Sequence, residues 1–144
     1  MIYLLDTNIL RHYAESHPNL MSYLQIIPKS QMALPSIVAA EALVGRCEFV
    51  LKATPIQAAA ANELLLTTLD LVQSFRIIVF DQACAAVMAK LLAKHKGHKL
   101  HADLMIAAIA IAGGHVVVTR NRKDFADLLP ALQLQNWIDD PPRG

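Results

Sequence analysis

Short continuous apolar runs alternate along the chain with longer stretches in which apolar side chains return every third or fourth position. The short runs at residues 2–5 and 116–119 predict buried strands, those at 31–34 and 75–80 predict two further strands, and a weaker run at 132–138 predicts an edge strand. The longer stretches predict helices. One starts near Ile9, and a second runs from Pro18 through Leu20, Leu24 and Ile27. A third passes through Ile37, Val38, Leu43, Val44 and Cys47 with Ser36 as its cap, and a fourth opens at Thr54-Pro55 and reaches about Gln73. Asp81 is placed to cap a fifth helix through Val87, Leu91 and Leu92 that ends near Gly97. A buried helix from about Leu104 to Ala112 is stopped by Gly113 and Gly114, and a short helix at 125–129 is closed by Pro130.

Strands alternating with helices predict an α/β fold, a three-layer α/β/α sandwich around a central parallel sheet. No linker or repeat divides the chain. Residues 1–138 therefore read as one domain, with the Pro-rich segment 139–144 as a flexible tail.

Composition narrows the class. The 144 residues are 55% hydrophobic and 17% charged, a surplus of apolar material that predicts a subunit interface. The longest apolar stretch is broken by Gly113, Gly114 and His115 and falls short of the roughly 20 residues a membrane helix needs. The first residues carry Asp6 inside their apolar run and no basic leader, so no signal peptide is expected. Cys47 and Cys84 stand singly, which predicts a reduced, cytoplasmic protein. Net charge is only +1, yet seven of the thirteen Lys and Arg residues lie between Lys90 and Lys123, where Asp103 is the sole acid. A lone carboxylate within a basic stretch suits a polyanion held beside a metal ion.

Four acids stand out. Asp6 follows the first predicted strand, Glu41 lies alone in the apolar run after the second, Asp103 heads the buried helix, and Asp124 follows the strand ending at Thr119. Each has a purely structural alternative. Asp6 could cap the first helix, Glu41 could pair with Arg46, Asp103 could offset its helix dipole, and Asp124 could cap a helix starting at Phe125. Ligands of such sheets bind beyond the carboxyl ends of the strands, where all four acids are expected. Carboxylates crowded there repel unless a cation neutralises them, and Mg2+ or Mn2+ prefers oxygen donors. That donor set suits metal-assisted phosphodiester hydrolysis. His95, His98 and His101 lack the further ligands of a zinc site and read as a solvated basic loop. Arg11, Arg46, Arg120, Arg122 and Lys99 are candidate phosphate binders. The stripe of Leu64, Leu65, Leu69 and Val72 reads as core or dimer surface.

The ordered set D-T-N at 6–8, P-S-I-V-A-A-E-A-L-V-G around Glu41, A-D-L-M-I-A-A at 102–108 and V-T-R-N-R-K-D-F at 118–125 resembles the PIN-domain family, and within it the VapC-type ribonuclease toxins. The resemblance implies a PIN-like fold in which Asp6, Glu41, Asp103 and Asp124 match the acidic metal-binding positions, with Asp127 a nearby substitute for the fourth. It implies supporting polar roles for Thr7, Asn8, Thr119 and Asn121. It also implies a metal-dependent endoribonuclease leaving 5′-phosphate and 3′-hydroxyl ends, a homodimer, and silencing by a cognate antitoxin in the active-site groove. The alternatives are a non-catalytic RNA-binding module on the same fold and a PIN nuclease of RNA processing or DNA repair.

Overall fold

The computed structural model describes residues 1–97 and 101–143; His98 and Lys99, named above, lie outside them. The elements are β1 (Tyr3–Leu5), α1 (Thr7–Ala14), α2 (Pro18–Ile26), β2 (Met32–Pro35), α3 (Ser36–Lys52), α4 (Pro55–Gln73), β3 (Arg76–Ile78), α5 (Gln82–Lys94), α6 (His101–Gly113), β4 (Val116–Val118), α7 (Arg122–Phe125) and β5 (Leu134–Gln135). All strand pairs are parallel, in the order β3-β2-β1-β4-β5. Successive residues of a strand face opposite sides of a sheet, and Leu4, Leu5, Ala33, Leu34 and Val116 to Val118 are all buried. Both faces of the three interior strands are therefore covered, as the three-layer expectation requires, while the edge strand β3 is largely exposed.

Strand order decides where a site can form. From β1 the chain moves outward to β2 and β3, then returns to the other flank of β1 for β4 and β5. The connections leaving β1 and β4 diverge, opening a crevice at their carboxyl ends. Asp6 and Thr119 are the residues immediately past these two strands, and the Asp6 N–H donates to the Val118 carbonyl at 2.9 Å, extending the pairing to the rim.

α6 supplies much of the core, with Leu104, Ile106, Ala107, Ala108, Ile109 and Ala110 all buried. It ends in a glycine stop. Gly114 adopts φ +67°, and the His115 N–H returns to the Ala110 carbonyl at 2.8 Å. That left-handed turn swings the chain directly into β4, and a side chain at 114 would strain it.

Several sequence expectations are corrected. Ser36 is the first residue of α3 rather than its cap, because Pro35 runs from β2 into the helix with no intervening residue. α6 begins at His101, a turn earlier than Leu104, so Asp103 lies inside its first turn. α7 likewise begins at Arg122 and not Phe125. The last strand shrinks to Leu134–Gln135, because the Asn136 side chain accepts from the N–H groups of Ile138 (3.0 Å) and Asp139 (3.1 Å) and closes a turn. Leu132, which opened the predicted run, is 90% exposed. Asp139 and Asp140, the first residues of the segment read as a tail, are ion-paired with Arg120 and Arg122. Among the described residues, no helix is long and apolar enough to cross a membrane.

Candidate active site

Asp6 both caps α1 and lines a cavity at the carboxyl end of the sheet. As cap of α1, its Oδ1 accepts from the Thr7 N–H at 2.8 Å. Its Oδ2 accepts from the Thr119 hydroxyl at 2.8 Å and from the Asn8 amide at 3.2 Å. Thr119 is fully buried at the end of β4, and its oxygen also accepts from the Asn8 amide (3.2 Å) and the Asn121 N–H (3.0 Å). The Arg120 N–H donates to Asn8 Oδ1 at 3.1 Å, which fixes the face that Asn8 turns toward Asp6. Two loops far apart in sequence thus hold one carboxylate.

Glu41 lies in the second turn of α3 and accepts from the Thr7 hydroxyl at 3.2 Å. The salt bridge to Arg46 weighed from the sequence is not formed; Arg46 Nε donates to Thr68 Oγ1 at 3.3 Å. Asp103 and Asp124 are each the third residue of their helices and each half-buried. All four acids line one cavity of about 770 Å3, together with Thr7, Asn8 and Asn121. Asp127 is exposed and absent from the lining, so Asp124 takes the fourth place. The earlier start of α7 explains this, because a helix already formed at Arg122 directs Asp124 into the cavity instead of using it as a cap.

Electrostatics register the crowding. Burial, then the charges of Asp6, Asp124 and Glu41, push the Asp103 carboxyl up from 3.8 to about 6. Asp6 is raised by burial and by Asp124, against the lowering effect of its hydrogen bonds from Thr119, Thr7 and Asn8. Glu41 is raised by burial and by Asp6, and lowered by Thr7. Such a cluster is stabilised by whatever neutralises it, and an all-oxygen donor set suits a hard divalent cation. Among the described residues no three acidic, His or Cys side chains converge into a complete protein shell. The residues therefore fit an ion held by a few carboxylates with water and phosphate oxygens filling the remaining positions, which is how Mg2+ is usually bound.

In the metal-free protein the folded state holds a proton on Asp103 between pH ~4 and about 6 that the unfolded chain has released, so the Asp103 contribution falls as pH rises through that window. His12 and His115, both lowered chiefly by burial, act in the opposite sense as pH falls below their unfolded value. The difference between wild type and Asp103→Asn isolates the carboxyl. The variant is expected to melt higher than wild type at pH 7, with the gap closing by pH 4; a gap independent of pH would contradict the crowding.

The basic residues divide. Arg11 and Arg46 line the acidic cavity, along with Glu15. Arg120 and Arg122 do not; they face Asp139 and Asp140, contrary to a shared role beside the acids. A larger hollow of about 950 Å3 lies beyond α7, where Arg122, Arg143 and Tyr23 are accompanied by a single carboxylate, Asp140, so size does not locate the chemistry. The sequence reading missed Glu15 and the wall formed by Leu10, Ala14, Leu64, Thr67, Thr68 and Leu71. The i, i+4 spacing from Thr7 to Arg11 and from Arg11 to Glu15 was the available signal for α1. The packing of α4 over the cavity left none.

The PIN domain family model matches residues 3–128. The chain is 33% identical over 145 residues to Ribonuclease VapC2 of Rickettsia felis, with 95% of this chain and 98% of that protein covered. Among solved structures, VapBC2 from Rickettsia felis bound to a promoter DNA fragment superposes with a TM-score of 0.68 at 30% identity, over 95% of this chain and 99% of that one. DNA-bound VapBC from Salmonella typhimurium superposes with a TM-score of 0.75 at 21% identity over 95% and 98%, a likeness of fold alone. A family model spanning nearly the whole fold and a full-length relative agree with the ordered acids on one parallel sheet: the chain belongs to the PIN-domain family.

Proposed function

We propose that this protein is a divalent-metal-dependent endoribonuclease, the toxin of a toxin–antitoxin pair. One observation carries the proposal: carboxylates from four separate elements meet in one cavity at the crevice between β1 and β4. The similarity to a ribonuclease over nearly the full length of both chains supports RNA as substrate. The superposed structures are toxin–antitoxin complexes, which supports a cognate antitoxin as partner.

Asp6, Glu41, Asp103 and Asp124 would hold Mg2+ or Mn2+. Such an ion, when bound, lowers the pKa of a water for in-line attack on phosphorus and offsets charge on the departing 3′ oxygen. Thr119 and Asn8 hold the Asp6 carboxylate in place, and Thr7 steadies Asp6 and Glu41 together. Arg11 and Arg46 place positive charge on the cavity wall, where the backbone of an RNA strand would run. Their charge also limits the repulsion that four acids exert on a polyanion. Val44, Leu51, Ile56 and Leu66 on the α3 and α4 pair are 60 to 95% exposed, an apolar surface that supports a homodimer. Both cysteines are free, in keeping with a cytoplasmic site of action.

The test is cleavage of a mixed RNA pool by the purified protein. Products with 5′-phosphate ends are expected with Mg2+ or Mn2+ and none in EDTA. Cleavage that persists undiminished in EDTA, or no cleavage with either ion, would refute the assignment.

A further inference from the structure

Arg120 and Arg122 follow Thr119 in a basic stretch and read naturally as RNA contacts, yet their surroundings assign them other work. The Arg120 guanidinium grips Asp139 with two hydrogen bonds, Nε to Oδ2 at 3.4 Å and Nη2 to Oδ1 at 3.3 Å. Its remaining nitrogen, Nη1, lies 3.5 Å from His12 Nε2 on α1. Arg122 pairs with Asp140 on the same segment. An RNA phosphate would have to displace these carboxylates before either arginine could bind it.

The segment they grip is itself anchored. Asn136 donates to Asp139 Oδ2 at 2.8 Å and accepts from the N–H groups of Ile138 and Asp139. Asn19 on α2 donates to the Ile138 carbonyl at 2.6 Å, the Tyr23 hydroxyl donates to the Asp140 carbonyl at 2.7 Å, and Trp137 is fully buried. Residues 136–140 thus form a fixed post. Arg120 and Arg122 fasten to it the loop between β4 and α7, the loop whose Thr119 hydroxyl and Arg120 N–H position Asp6 and Asn8.

We propose that Arg120 and Asp139 are positioning residues for the metal site, acting through the Arg120 backbone and the Asn8 amide on the Asp6 carboxylate. The proposal rests on the reading of Asp6 as a metal ligand. Four groups form the relay: the Asp139 carboxylate holds Arg120, the Arg120 N–H holds Asn8, and Asn8 donates to Asp6. Without the post, the loop is free to shift, Asn8 loses the contact that sets its amide orientation, and Asp6 loses a donor. The Arg120 and Asp139 side chains are each nearly half exposed, at 47% and 49%, so the pair adds little to global stability. Its effect should appear at the site and not in the melting temperature.

An acid remote from the cavity gives a discriminating test. If Arg120 served as an RNA contact, Asp139→Asn would free it, lowering the RNA KM with kcat unchanged. The positioning role requires the reverse. Mn2+ affinity measured by calorimetry, and kcat at subsaturating Mn2+, should each fall about three- to tenfold, with RNA KM unchanged and melting within a few degrees of wild type. Arg120→Gln should give the same loss of Mn2+ affinity, and the double variant no more than either single one, because all three break one link. Unchanged Mn2+ affinity in Asp139→Asn, or additive losses in the double variant, would overturn the proposal. Should Asp139→Asn not fold, Arg120→Gln carries the same readout alone. Failure of the underlying reading is recognised separately, as absence of Mn2+ binding by the wild-type protein.

Discussion

An Asp6→Asn variant is expected to lose RNA cleavage by roughly a hundred- to a thousandfold while remaining folded, although its amide nitrogen can no longer accept from Thr119 and Asn8. The amide keeps an oxygen for the Thr7 N–H, so the cap of α1 survives. It removes the negative charge that a hard cation requires, and with it one of the charges that raise Asp103 and Glu41. Loss of function without loss of fold is therefore the signature: circular dichroism and thermal melting report the fold, and cleavage of a labelled RNA reports activity. Full cleavage by the folded variant would remove Asp6 from the chemistry.

Trp137→Ala is expected to lower stability by about 3–5 kcal/mol, because truncating a buried aromatic leaves a cavity that its neighbours fill only in part. Trp137 is the single tryptophan and is fully buried. Tyr23 stacks on it with centroids 4.7 Å apart, Tyr3 packs at 5.1 Å, and its indole N–H donates to Gln135 Oε1 at 2.8 Å. Because Tyr3 belongs to β1, the substitution strikes the central strand as well as the C-terminal segment. Urea denaturation followed by circular dichroism measures the loss; a drop under about 1 kcal/mol would show that this segment is not part of the cooperative fold.

The sheet was legible because its interior strands are buried on both faces and read as mainly apolar runs at 2–5, 31–34 and 116–119. Asp6 and Glu41 were legible for the same reason: a carboxylate within or just past such a run has nowhere inexpensive to go except a cavity or a cation. Local signals failed where long-range contacts decide. The weaker run at 132–138 predicts an edge strand over its whole length, but the Asn136 side chain captures two N–H groups and turns the chain. The sequence placed Asp124 equally well as a cap or in the cavity, and only the start of α7 at Arg122 distinguishes them. Nothing local marks Asn8 as a partner of Arg120, or Arg120 as a partner of Asp139; these pairs form because β1, β4 and the closing turn after β5 meet at one end of the sheet. Basic residues near acids looked like substrate contacts, and two of them are instead tied to carboxylates of their own.

Shared possession of a divalent ion by Asp6, Glu41, Asp103 and Asp124 is tested most directly by calorimetric titration of Mn2+ into the metal-free protein at several pH values, with Asp6→Asn beside it. Saturable binding is expected for the wild type, weakening below pH 6 as Asp103 takes up its proton. Binding should be lost in the variant. Absence of saturable binding by the wild type, or equal affinity in both proteins, would contradict the account.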